Sequence, residues 1–225
     1  MINRESVTRR EMEAKLANSG DYVKMDYLQR CLKMQLDFDT KKYALVKLAG
    51  IYEGRKMFLE AGRMMRNAAD INATVDSKFN DFVRALEFFV KAGNFEEAEI
   101  TYKKALAIAN SKQKVGLKIK TKDMYKTQAQ GFLNRDKRKH ALEIYEKMLD
   151  LDLDSMERKE IQNAMMPLYQ KLGKIREYAD MERTLKNPAQ TLPKKENKAE
   201  RQEERPLSKG SGNARFDEDL GIEFY

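Results

Sequence analysis

The sequence predicts an all-α fold, an α-solenoid of about five antiparallel helical hairpins followed by a disordered C-terminal tail, on three observations. Glycine and proline are scarce, 11 and 4 in 225 residues, too few for the many turns of an all-β chain. A unit built on Gly93-Asn94-Phe95-Glu96-Glu97-Ala98, with Tyr102, Ala105 and Leu106 after it, recurs along the chain at a solenoid period. From Asn187 onward the composition changes to Lys, Glu, Gln and Arg punctuated by proline, which cannot bury enough apolar surface to fold.

Aligning the unit on its small or apolar residue gives Met25, Ala61, Ala98, Ala141 and Tyr178, separated by 36, 37, 43 and 37 residues. Nine residues earlier stand Leu16, Tyr52, Phe89, Phe132 and Tyr169. Four of these five are aromatic in a chain that is 9% aromatic, so the register is not a chance coincidence. The hairpins follow in order. The first, 3–18 and 21–36, carries Leu16 in one helix and Met25, Gln29 and Leu32 in the other, with the reversal at Gly20. The second, 40–53 and 57–72, carries Tyr52, then Ala61, Met65 and Ala68. The third, 76–92 and 94–110, is the best match, with Phe89, the stop at Gly93, and Ala98, Tyr102 and Ala105. The fourth, 121–133 and 137–151, carries Phe132, then Ala141, Tyr145 and Met148. The fifth, 155–172 and 174–186, carries Tyr169, a stop at Gly173, and Tyr178, Glu182 and Leu185. The end units match less well because a terminal repeat has one face in water. Asn94 with Glu97, and Asp154 with Glu157, have the spacing of a helix capping box.

These residues resemble the tetratricopeptide family, a two-helix unit with an aromatic in helix A and a small residue followed by an aromatic in helix B. The resemblance runs over roughly residues 6–187 and implies a right-handed superhelix with a concave peptide-binding face. Units near 37 residues are equally similar to the longer hairpins of soluble NSF attachment proteins. Some tetratricopeptide proteins grip a terminal carboxylate through Lys and Asn on helix A. The matching positions here hold Val46, Gly50, Val83, Glu87, Lys126 and Gln130, so that clamp is absent.

Two segments interrupt the pattern. The 43-residue separation places six surplus residues in Asn110 to Lys120, where Val115, Leu117 and Ile119 alternate with Gly116, Lys118 and Lys120. Period two predicts a short extended connector there, since a helix would turn Lys118 onto the face of Tyr125 and Ala129. Pro167 lies inside the ninth helix and predicts a kink or break, because it has no amide to donate to the carbonyl of Asn163.

Charge is concentrated as well. Residues 112–139 hold ten Lys or Arg, namely Lys112, Lys114, Lys118, Lys120, Lys122, Lys126, Arg135, Lys137, Arg138 and Lys139, against Asp123 and Asp136. Their net +8 equals the formal charge of the whole chain. Such a cluster suits phosphates or an acidic partner, and equally suits an ordinary solvated face. Beyond the helical repeat domain, 1–186, a linker at 187–213 contains Pro188, Pro193, Pro206 and the run Lys209 to Asn213, and is expected to be disordered. Residues 214–225 interleave Phe216, Leu220, Ile222, Phe224 and Tyr225 with Asp217, Glu218, Asp219 and Glu223. Apolar anchors at the end of a hydrophilic tether read as an acidic, aromatic binding motif.

No catalytic constellation is found. Gly50-Ile51-Tyr52-Glu53-Gly54-Arg55-Lys56 fails as a phosphate loop, being one residue short and lacking the Ser or Thr that holds magnesium. The single cysteine, Cys31, reads as a buried small hydrophobe, and the single histidine, His140, as a surface side chain. Neither a cofactor nor a metal is expected. No run of 18 apolar residues predicts a membrane span, and the first ten residues lack the apolar core of a signal peptide, so the expected location is the cytoplasm.

The sequence therefore predicts a non-enzymatic protein–protein interaction scaffold or adaptor, binding a protein or peptide on the concave face of its repeats and through its C-terminal motif. The expected contact residues are Lys118, Lys122, Lys126, Gln130, Arg135, Lys137, Phe216, Leu220, Phe224 and Tyr225. The alternative is a nucleic-acid-associated protein using the basic surface of residues 112–139. A further expected partner is the chain itself, its acidic tail returning to the basic repeat across a tether long enough to reach.

Overall fold

The computed structural model describes residues 7–186, which lie in one compact unit, Met1–Lys186. The expected linker at 187–213 and the motif residues Phe216, Leu220, Phe224 and Tyr225 lie outside the described residues. Ten helices and no strand are present among the described residues: α1 (Arg9–Ala17), α2 (Asp21–Cys31), α3 (Phe38–Gly54), α4 (Phe58–Asp70), α5 (Val75–Ala92), α6 (Phe95–Ile108), α7 (Ser111–Leu133), α8 (Arg138–Leu149), α9 (Ser155–Lys171) and α10 (Ile175–Lys186). The order is that of five successive hairpins, and α3 with α4, α5 with α6, α7 with α8 and α9 with α10 pack as pairs.

The turns inside the hairpins establish the repeat. Each of four turns holds one residue in the left-handed conformation: Lys56 (φ 60°), Gly93 (φ 72°), Asp136 (φ 56°) and Gly173 (φ 70°). In each, the following amide donates to the carbonyl of the aromatic near the end of the first helix. Met57 donates to Tyr52 at 2.8 Å, Asn94 to Phe89 at 3.0 Å, Lys137 to Phe132 at 2.9 Å and Lys174 to Tyr169 at 2.9 Å. That bond closes a Schellman-type helix end. It fixes the aromatic at a constant distance from the reversal, so the ring lands at the same level of every hairpin. The first turn departs from the rule, Gly20 having ordinary negative φ as the N-cap of α2.

The small residues serve close helix approach. Ala61, Ala98 and Ala141 are all fully buried. Beside Ala61, a Cβ built on Gly62 would stand only 2.8 Å from Cε1 of Phe89, so α4 meets α5 through a glycine that no side chain could replace without moving the ring. Phe82, Phe88 and Phe89 are buried at the centre of this packing, and α4 and α5 belong to successive hairpins. Cys31 is buried and unbridged, and exposed His140 stacks on Phe132 with 5.3 Å between centroids.

Two expectations require correction. Asn110 to Lys120 is not an extended connector: α7 is a 23-residue helix running from Ser111. Asn110 and Gln113 cap one another reciprocally, the Gln113 amide on Asn110 Oδ1 at 2.8 Å and the Asn110 amide on Gln113 Oε1 at 3.0 Å. The buried stripe is Leu117, Thr121, Tyr125 and Ala129, a four-residue spacing hidden from sequence by its polar member. The Thr121 hydroxyl is satisfied by donating to the Leu117 carbonyl at 2.7 Å. Val115 and Ile119, which mimicked a strand, are 60% and 55% exposed. Lys118 does turn toward packed surface, and an ion pair with Asp152 neutralises it there. Nor does Pro167 break α9, which runs through it to Lys171. Both Pro167 and Asn163 are exposed, so the carbonyl left without a donor faces solvent.

Candidate functional site

The first helices of the later hairpins, α5, α7 and α9, form one face. On it α7 packs against α5 and is tied to α9 by Lys122–Glu157 at 2.5 Å and Lys126–Glu160 at 3.6 Å. A groove of about 690 Å³ follows the α7–α9 side, lined by Lys126, Thr127, Gln130, Gly131, Tyr145 and Ile161 among others. Another, of about 310 Å³, follows the α5–α7 side, lined by Val90, Lys91, Lys120, Met124 and Gln128 among others. Thr127 lines both, so the grooves flank a single turn of α7.

Two of the residues expected from sequence, Lys126 and Gln130, are thus brought together. They sit one helical turn apart on the floor of the larger groove, where Gln130 Nε2 donates to Asn134 Oδ1 at 2.9 Å. The others are dispersed. Lys118 and Lys122 are engaged by Asp152 and Glu157. The Arg135 guanidinium lies over the Phe132 ring, 5.7 Å from its centroid, and Lys137 is the exposed N-cap of α8. The basic cluster is accordingly no single free patch. Three of its lysines are answered by carboxylates 34 or 35 residues further on, about one repeat away in sequence. Glu157 serves twice, accepting from Lys122 and from the amide of Asp154. Both contacts favour its ionised form and hold its pKa below the ordinary value, the Lys122 bond most strongly.

On the other side of the array lies a feature the sequence reading did not identify. The second helix of one hairpin packs on the first helix of the next for α2 on α3, α4 on α5 and α8 on α9. Between α6 and α7 that contact is loose, and a cleft of about 640 Å³ opens. Leu86 of α5, Phe95, Ala98, Tyr102 and Leu106 of α6, Tyr125 of α7 and Leu151 beyond α8 supply its apolar walls. Phe95 and Tyr125 touch with ring centroids 5.4 Å apart. The three lysines at the cleft are paired, Lys103 with Glu99 at 2.5 Å, Lys147 with Asp150 at 3.8 Å, and Lys118 with Asp152, while Glu96 lines it without an ion pair among the described residues. Burial pushes the Tyr125 phenol up to about 12, with Glu99 and Asp150 adding to the effect. The only sequence trace of this cleft is the 43-residue spacing, since the surplus residues form the first turns of α7.

No protein-family model matches the sequence, and no curated protein sequence matches it. Among solved structures the chain is similar to the crystal structure of BtubC (BKLC) from P. vanneervenii, at 15% identity over 93% of this chain and 85% of that one, with a TM-score of 0.32. No helix among the described residues is long and apolar enough to cross a membrane.

Proposed function

We propose that this protein is a tetratricopeptide-like interaction scaffold or adaptor, without catalytic activity, that binds an extended segment of another protein across the α5–α7–α9 face. The carrying observation is the pair of grooves flanking Thr127, lined by polar side chains such as Lys126, Gln130 and Gln128 over the buried side chains of Tyr145, Ile161 and Val90 and the partly buried Met124. An extended peptide laid across α7 would reach both grooves. Preformed side chains on rigid helices lower the ordering cost of such binding. The nucleic-acid alternative draws on fewer residues than the sequence suggested. Lys118, Lys122, Lys126 and Arg138 are matched by carboxylates, leaving Lys112, Lys114, Lys120, Arg135, Lys137 and Lys139 without an ion pair among the described residues.

The test is capture from native lysate by the wild-type chain and by Thr127→Arg, each with and without nuclease. Thr127 is exposed, so the substitution should leave the fold intact while obstructing both grooves. A protein retained after nuclease and lost with Thr127→Arg supports the scaffold reading. Partners released by nuclease, or indifferent to Thr127→Arg, count against it.

A further inference from the structure

We propose that the cleft between α6 and the α7–α8 hairpin is a binding site for a small, uncharged, largely apolar molecule that offers a hydrogen-bond acceptor to the Tyr125 hydroxyl. The site is independent of the peptide-binding face and does not rest on it.

Three observations converge. The cleft holds about 640 Å³, within the roughly 300–1,000 Å³ of sites that enclose a small molecule, and its walls are aromatic and aliphatic. It occurs where a second helix packs only loosely on the first helix of the next hairpin, unlike α2 on α3, α4 on α5 and α8 on α9. Tyr125 is only 4% exposed, yet its hydroxyl has no hydrogen-bond partner among the described residues. Thr101 Oγ1 is the only enclosed side-chain polar atom without a partner among the described residues, so the Tyr125 oxygen, although its ring is buried, is open to solvent. Tyr125 lines the cleft together with Glu99 and Asp150.

The same surroundings define the ligand. Three lysines at the cleft are each paired with a carboxylate, so an anionic ligand would have to displace an existing ion pair, whereas a neutral one would not. A neutral phenol has one proton to donate, and an acceptor such as a carbonyl complements it. Tyr102, half-buried on α6 and likewise without a hydrogen-bond partner among the described residues, offers a second polar point. The rings of Phe95, Tyr102 and Tyr125 among its walls suit a flat body of one or two rings.

The experiment is a fluorescence titration of the full chain with prodan, a neutral naphthalene bearing one ketone, whose emission moves to the blue in apolar surroundings. Saturable one-to-one binding with a blue shift is expected. Tyr125→Phe removes the donor and keeps the ring, and should weaken binding by roughly threefold to tenfold, the worth of one hydrogen bond. Leu151→Trp, which fills the cleft from its rim, should abolish the signal while circular dichroism stays that of the wild type. Absence of saturable binding overturns the proposal. So does equal affinity in wild type and Tyr125→Phe, which would put the dye elsewhere. Should Leu151→Trp fail to fold, the conservative Tyr125→Phe still decides.

Discussion

Replacing Gly62 by alanine tests the packing of successive hairpins, because alanine would ordinarily stabilise a helix at such a position. The gain from helix propensity is about 1 kcal/mol. Against it, the new Cβ would lie 2.8, 2.9 and 3.1 Å from three carbons of the Phe89 ring, where contact distance is about 3.5–4.0 Å. The ring must retreat by roughly 0.7 Å at its nearest carbon. It is fully buried, with Arg66 stacked 5.3 Å from its centroid, so the retreat compresses other core atoms. Overpacking of this kind costs about 1–3 kcal/mol, and the net is a destabilisation of about 1 kcal/mol, up to about 2. Gly116 supplies the control. It is exposed within α7, and a Cβ there meets nothing within 4 Å; Gly116→Ala should stabilise by about 0.5–1 kcal/mol. The same chemical change therefore has opposite signs at two helical sites, separating the variants' melting temperatures by several degrees, at about 2–4 °C per kcal/mol for a domain of this size. Thermal melts followed by circular dichroism measure it. Gly62→Ala as stable as Gly116→Ala would refute the approach of α4 to α5 through Gly62.

Lys56 holds the left-handed turn position that glycine holds at 93, so Lys56→Gly should stabilise by about 0.5–1 kcal/mol and Gly93→Ala destabilise by about 1 kcal/mol, as read from urea midpoints. Thr101 is fully buried in α6 and its hydroxyl has no partner in the described structure; Thr101→Val should raise stability by about 1 kcal/mol in the same assay. For Tyr125 the ordinary pKa of 10.0 is raised to about 12. Between those values the unfolded chain loses a proton that the folded chain keeps. The phenol's contribution is thus complete below about pH 10 and is lost as pH rises toward 12. Urea midpoints measured over that range should fall less steeply for Tyr125→Phe than for wild type, and an identical decline would refute the assignment.

The helices were legible because their signals are local. Period, the stops at Gly93 and Gly173, and the Asp154–Glu157 box can all be read within a few residues. Asn94 was half right: it accepts from the Glu97 amide at 3.1 Å, but the Glu97 carboxylate turns to Arg66 on α4. The start of α7 was misread because Thr121 stands among apolar core residues, although Asn110 and Gln113 had capping-box spacing. The fate of the lysines depended on residues one repeat away, beyond the reach of local charge counting. Lys126 and Gln130, named from the resemblance as the positions of a carboxylate clamp, stand one turn apart in the larger groove. The cleft was illegible because it arises from how two helices stand relative to each other, and no short stretch of sequence contains that relation.

The loose junction between α6 and α7 also bears on how the array comes apart. In a linear array each hairpin is held by its own internal stability and by coupling to its neighbours. The third and fourth hairpins couple mainly through α5 and α7, while adjoining hairpins elsewhere share the packing of a second helix on the next first helix. The chain thereby contains a mechanical seam after α6. Load or denaturant applied along the array is expected to part it there, releasing α7–α10 as one cooperative block and α1–α6 as another, so that a single midpoint would average two events.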